Sequence, residues 1–199
     1  MKVTLQLPRR ASYADYLAVE QLSAHRHELI DGVIVARAGG SDEHNAIAGK
    51  LAMLLGLRAS GDCRYYTAKQ RFWIGSTARS RYGDGSIICG KPEHPPHDRQ
   101  ATTNPAIVVE VLSPSSEGDD EGEKRRDFQS LGSLQAYVLV CQDQRSVTVY
   151  RRSESGDWQR EAHPYRDGET FALPLLDDEI AVSAIYHGIL DAPGNSLLR

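Results

Sequence analysis

Two carboxylates and a lysine stand out by residue type and position. Glu110 lies inside Ile107-Val108-Val109-Glu110-Val111-Leu112, an otherwise apolar run. Such a run reads as a strand buried on both faces, where a carboxylate is costly unless it is paired or bound to a metal. Asp84 lies in a glycine-flanked break, Gly83-Asp84-Gly85, just before the strand-like Ile87-Ile88-Cys89. If the two strands are neighbours, the acids sit side by side and repel unless a cation lies between them. Hard oxygen ligands with no accompanying Cys or His suit Mg²⁺ or Mn²⁺. An ion held there with a phosphate and a water would acidify the water and neutralise charge in an in-line displacement. Lys124 falls about one turn into the following helix, within reach of the same spot. It could orient the water or stabilise a pentavalent phosphate. A salt bridge between Glu110 and Lys124 would account for the same residues without catalysis.

Other candidates are weaker. Glu28 sits on the first strand of a hairpin ahead of the long helix. His44 lies on the first turn of that helix and either faces solvent or points toward the acids. His94-Pro-Pro-His97 is a charged loop with no helical face to align two ligands. Gly39-Gly40-Ser41 precedes a helix, but no lysine follows at phosphate-loop spacing. Between Arg58 and Arg81 stand six basic residues against one acid, Asp62. Solvated surface and a polyanion-facing stretch both fit that excess.

The elements that must position these groups follow from pattern. Ser12 to Gln21 reads as a short capped helix, and His27 to Ala36 as a hairpin turning at Asp31-Gly32. Ser41 caps a helix to Ala59, with Ile47, Leu51, Leu54 and Leu55 at helical spacing. Cys63 to Ile74 favours one long or two short strands. Gly75 to Arg81 reads as a basic, polar turn, and Gly90 to Thr103 as a loop. A helix from about Asp119 to Leu131 follows the Glu110 strand. Ala136 to Cys141 and Val147 to Arg151 then pair as strands, and Trp158 begins an edge hairpin. Residues 1–11 read as an N-terminal extension, 12–190 as one domain and 191–199 as a tail.

The 199 residues include 40% hydrophobic and 25% charged positions and carry a net charge of −4. Bulk charge therefore gives no support for polyanion binding. No apolar run approaches the roughly 20 residues that span a bilayer, so no membrane role is expected. Cys63, Cys89 and Cys141 make no disulfide framework; Cys89 and Cys141 read as small core residues. The expected setting is reducing and cytoplasmic.

Three stretches together carry a family likeness. HELIDGVIVARAGGSDEHNAIAGKLAMLL, YGDGSIICG and NPAIVVEVLSPSS, with the DDEGEKRRDF and LGSLQAYVLVCQDQRSVTVYRR segments that follow, resemble the Uma-type restriction endonucleases of the PD-(D/E)XK nuclease superfamily. The resemblance spans roughly Tyr13 to Leu190. It implies an α/β (mixed α+β) fold: a restriction-endonuclease-like core with a mixed central sheet flanked by helices and hairpins at its edges. By that likeness Asp84 takes the aspartate position and Glu110 the acid of the next strand. The motif's lysine, ordinarily two residues after the acid where this chain has Leu112, has moved to Lys124. Glu28 matches the acid of the ELIDG segment and His44 the histidine after the GGS turn. Asp120 matches a recurrent acid, with Asp119 its ambiguous neighbour. Gly83 replaces the family's usual proline, and Gly85-Ser86 its first strand residues.

The expected activity is Mg²⁺- or Mn²⁺-dependent hydrolysis of phosphodiester bonds in DNA, with no organic cofactor. Asp84, Glu110 and Val111 would be metal ligands, Glu28 would bind or orient the ion, and Lys124 would activate the water. His44 and Asp120 are possible accessories. Arg64, Lys69, Arg71, Arg79 and Arg81 would face DNA, since phosphate contacts supply most non-specific affinity. Nucleases of this kind commonly act as homodimers, one site per strand. The alternative is a catalytically impaired nuclease fold serving as a nucleic-acid- or partner-binding module.

Overall fold

A computed structural model describes residues 10–37, 39–114 and 116–198. Residues 1–9 of the expected extension and Arg199 of the expected tail lie outside it. The described chain opens with α1 (Tyr13–Leu22), where the Ser12 and Asp15 side chains cap each other's backbone N–H groups. The hairpin β1 (His27–Ile30) and β2 (Val33–Ala36) turns at Asp31 and Gly32, both at positive φ. Ser41 then caps α2 (Asp42–Arg58).

The expected Cys63–Ile74 strand region divides into β3 (Cys63–Thr67) and β4 (Arg71–Ile74), which join different sheets. β5 (Arg79–Tyr82) follows, where the sequence reads as a polar turn. Its arginines reach acids distant in the chain, so charge here marks a buried strand and not solvent. β6 (Gly85–Cys89), β7 (Ala101–Thr102) and β8 (Ile107–Leu112) complete the first half.

The expected helix over 119–131 is two helices, α3 (Glu117–Asp120) and α4 (Glu123–Gln129). Gly122 breaks it: its ψ of −111° leaves the helical region, and an added Cβ would lie 2.4 Å from the Gly118 carbonyl oxygen. β9 (Ala136–Cys141), β10 (Ser146–Arg152), β11 (Trp158–Arg160), β12 (Tyr165–Arg166), β13 (Thr170–Phe171), β14 (Ile180–Ala181) and α5 (Val182–Tyr186) close the chain.

Two sheets carry the site. The smaller runs β2-β1-β5-β4-β7. The larger runs β11-β10-β9-β8-β6-β3, with β12 also on β10. β8 is its centre, parallel to β9 and antiparallel to β6. Ile107, Val109 and Val111 pack into the cluster under α2 and α5, while Val108 and Leu112 pack with Phe128 and Tyr137 on the other face. Burial on both faces explains the unbroken apolar run. Gly83 and Asp84 are the link from β5 to β6, so Asp84 stands where one sheet hands the chain to the other.

Cys63 and Cys89 face each other across β3 and β6 and are joined by a disulfide, which corrects the expectation of separate thiols. A direct cross-strand register brings two Cβ atoms within bonding reach, which spacing alone does not reveal. Among the described residues, no helix is long and apolar enough to cross a membrane.

Candidate active site

Glu110 is fully buried in β8, on the face that α4 covers. Lys124, on the first full turn of α4, brings Nζ to 2.9 Å from Glu110 Oε2 and 3.0 Å from Asp120 Oδ1. The Glu110 contact is an ion pair off the axis of a hydrogen bond, so neither oxygen of this carboxylate receives a hydrogen bond from a described residue. Complete burial pushes the Glu110 carboxyl well above the usual range. Lys124 opposes that push, and the Asp120 and Asp84 carboxylates add to it. Burial would strip Lys124 of its proton, but Glu110 and Asp120 outweigh it and hold the ammonium charged.

Asp84 is tied from several sides. Its backbone N–H donates to the Val109 carbonyl (3.0 Å), and the Val111 N–H donates to Oδ2 (2.9 Å). Arg37 Nη2 donates to Oδ1 at 3.0 Å, and His44 Nε2 lies 3.2 Å from Oδ2. Burial alone would raise this carboxyl, yet the His44 contact and the charges of Lys124 and Arg37 hold it below the ordinary aspartate range. A Cβ built on the neighbouring Gly83 would lie 3.6 Å from Glu110 Oε1, so the Asp84 turn abuts Glu110.

Glu28 is buried in β1 and fully engaged. It accepts from Arg81 Nη1 (3.0 Å) and from the Tyr82 N–H (2.9 Å). Burial opposes its ionisation, but Lys124, Arg37 and Arg81 hold its carboxyl low. The structure thus brings Asp84, Glu110, Lys124, Asp120 and His44 into one cluster, with Glu28 bound at its edge through Arg81. Asp119 pairs with Arg81 at 3.0 Å and not with Lys124.

The expected DNA-facing stretch needs correction at three of its five positions. Arg81 is wholly buried against Glu28 and Asp127, and Arg71 is buried against Asp98 (2.7 Å). Arg79 is largely covered by Asp31 and Asp127. Only Arg64 and Lys69 are exposed. The sequence reading also missed Arg37 and Asp127. Arg37 follows β2, and the one available signal was its place two residues before the Gly39-Gly40-Ser41 turn.

The donor set can be tested for a divalent cation. Among the described residues no three His, Cys, Asp or Glu side chains form a metal-binding group, so a third ligand must be backbone or water. Strand residues turn their N–H and C=O to the same side. The Val111 N–H faces Asp84, so its carbonyl faces that side too. Glu28, Asp84, Asp120 and Asp127 are buried with Glu110 and face the buried Arg81 and Lys124 and the mostly covered Arg37 and Arg79. A buried carboxylate that receives no hydrogen bond from a described residue, with a second acid near it, fits a hard cation.

Comparison with known proteins gives a family and a fold. The model of the Uma2 family, described as putative restriction endonuclease, matches residues 13–184. Two uncharacterized proteins of Synechocystis sp. are similar to the chain. One, slr1290, is 33% identical over 184 residues, covering 90% of this chain and 93% of its own. The other, sll1609, is 32% identical over 147 residues, covering 73% and 82%. A crystal structure from Anabaena variabilis, described as a putative nuclease belonging to DUF820, superposes with a TM-score of 0.66 at 16% identity. It covers 82% of this chain and 91% of its own, and at that identity the likeness is one of fold.

Proposed function

The chain belongs to the Uma2 family of putative restriction endonucleases, and from that membership we propose that it is a Mg²⁺- or Mn²⁺-dependent nuclease hydrolysing phosphodiester bonds in DNA. The observation that carries the reading is Glu110, a wholly buried carboxylate whose two oxygens receive no hydrogen bond from a described residue, against the turn that carries Asp84. Asp84, Glu110 and the Val111 carbonyl would hold the ion. When bound, it supplies Lewis-acid activation of water and neutralises phosphate charge.

The chain's own residues do the rest. Arg37 and His44 orient the Asp84 carboxylate, each on a different oxygen. Lys124, kept protonated by Glu110 and Asp120, is a donor and not a base. It would orient the water or stabilise charge on the phosphate. Glu28 acts one step back, fixing Arg81 and the backbone of Tyr82. For the DNA strand, a groove of about 540 Å³ beside Tyr82 presents Arg26, Lys69 and Arg99, with Glu20 and Asp98 also on its wall. Exposed Arg64 and Lys69 would add phosphate contacts. Cutting both strands of a duplex needs two such sites, which a pair of chains would provide.

The test is nicking of supercoiled plasmid in Mg²⁺ or Mn²⁺, beside Asp84→Ala and Glu110→Ala. Wild type should nick and both variants should lose at least about 100-fold, as removal of charge-stabilising groups does. Equal nicking by all three removes the catalytic assignment. Salt-sensitive DNA binding without nicking selects the module reading, in which Arg37–Asp84 and Lys124–Glu110 are structural pairs.

A further inference from the structure

Gly85 follows Asp84 directly, and its backbone places no demand for glycine, because its φ lies outside the left-handed region. The demand is for space. A Cβ built on Gly85 would lie 2.1 Å from the Tyr65 hydroxyl oxygen and 2.8 Å from its Cζ. The tip of the Tyr65 phenol fills the volume a side chain at 85 would take. Register explains the approach: Tyr65 faces Ile87 across β3 and β6, so Gly85 is its diagonal neighbour on the same sheet face. The ring is fixed from above, packed on the α2 cluster with its Cβ 3.8 Å from a Cβ built on Gly56.

The hydroxyl differs from those of three buried tyrosines. Tyr16 donates to the His27 carbonyl (2.9 Å), Tyr137 to that of Asp120 (3.0 Å) and Tyr186 to that of Cys141 (2.9 Å). The Tyr65 hydroxyl makes no hydrogen bond to a described residue; only burial and the Asp84 charge act on it. Together they push the phenol up to about 12, so it keeps its proton at neutral pH. A neutral donor without a partner therefore stands beside the acid that would bind metal, on the face opposite Lys124.

We propose that Tyr65 is a substrate-binding residue of this site, its hydroxyl donating a hydrogen bond to a non-bridging phosphate oxygen of the bound DNA strand, with Gly85 as the socket that lets it reach. The inference rests on the nuclease reading and extends it to one contact. A phosphate placed among carboxylates needs donors that do not cancel their charge, and a phenol meets that need.

The test is the affinity of a fluorescent DNA duplex in Ca²⁺, with single-turnover cleavage in Mg²⁺, for wild type, Tyr65→Phe, Gly85→Ala and the double variant. Tyr65→Phe should weaken binding about 10-fold, the worth of one hydrogen bond to a charged group, with its melting temperature unchanged. Gly85→Ala should show a similar loss by displacing the phenol, and the double variant should lose less than the product of the two. Wild-type affinity in Tyr65→Phe overturns the contact, as does a loss matched by a fall in melting temperature. If wild type itself neither binds nor cleaves the duplex, the nuclease reading fails and this inference with it.

Discussion

A carboxylate removed from water without a hydrogen-bond donor carries a penalty of several kcal/mol, offset only by a close opposite charge. At Glu110 that charge is Lys124, which Asp120 shares. The two partners should therefore respond differently to mutation. Lys124→Met leaves Glu110 and Asp120 buried without their cation and should cost about 3–5 kcal/mol in urea unfolding. Glu110→Gln removes the charge that burial resists, so it should leave stability at pH 7 equal or higher while abolishing cleavage. Stability lost at Glu110 and kept at Lys124 would reverse the account of this pair. Asp84, Glu110 and Lys124 were legible in the sequence because each is a polar group whose surroundings, apolar or glycine-broken, give it no local reason to be there. Arg37 and Asp127 were not, because contacts 47 and 46 residues away, to Asp84 and Arg81, give them their place.

Among the elements, β5 does most to align the site. Arg81 projects from it, wholly buried, to Glu28 on β1, Asp119 on α3 and Asp127 on α4. One guanidinium thus joins the smaller sheet to the helices that carry Lys124. Arg81→Met should destabilise by about 3–5 kcal/mol, because it strands Glu28 and Asp127 in the interior. Arg81→Lys should recover only part of that, since a single ammonium cannot match a fork that meets three acids. A melting temperature close to wild type in Arg81→Met would show that the sheet junction does not depend on it. The hairpin and α2 could be placed from sequence, because turn chemistry and capping are local. β5 could not, because Arg79-Ser80-Arg81 resembles a solvated turn until its distant acids are known. The helix break at Gly122 likewise depends on a close approach to Gly118, although the glycine itself was visible.

For the molecule as a whole, the site's charges set a pH dependence. Asp84 and Glu28 have folded pKa values below ordinary, so the unfolded chain binds more protons as pH falls toward about 4. Their contribution is fully present above the ordinary carboxylate value and is lost as pH falls through the folded values. Glu110 runs the other way: its folded pKa is raised, so its contribution is present below the ordinary value and is lost as pH rises through the folded one. Urea midpoints for Asp84→Asn should fall less steeply than wild type on the acid side, and those for Glu110→Gln should hold up better toward alkaline pH. Parallel curves for all three would remove these groups from the linkage. The family likeness and the mixed sheet were legible in ordered motifs running along the chain. The second sheet and the Cys63–Cys89 link were not, because strand order and cross-strand register are decided by pairing across the fold.

The central claim is that Asp84 and Glu110 together hold a divalent cation, and the most direct measurement is Mn²⁺ binding to the purified chain, read by electron paramagnetic resonance of the free ion. Wild type should bind a single Mn²⁺ per chain, more tightly as pH rises, because Glu110 must give up a proton to coordinate. Asp84→Asn and Glu110→Gln should each abolish that binding. No bound Mn²⁺ in wild type, or binding unchanged in both variants, would contradict the claim and leave the cluster as buried ion pairs.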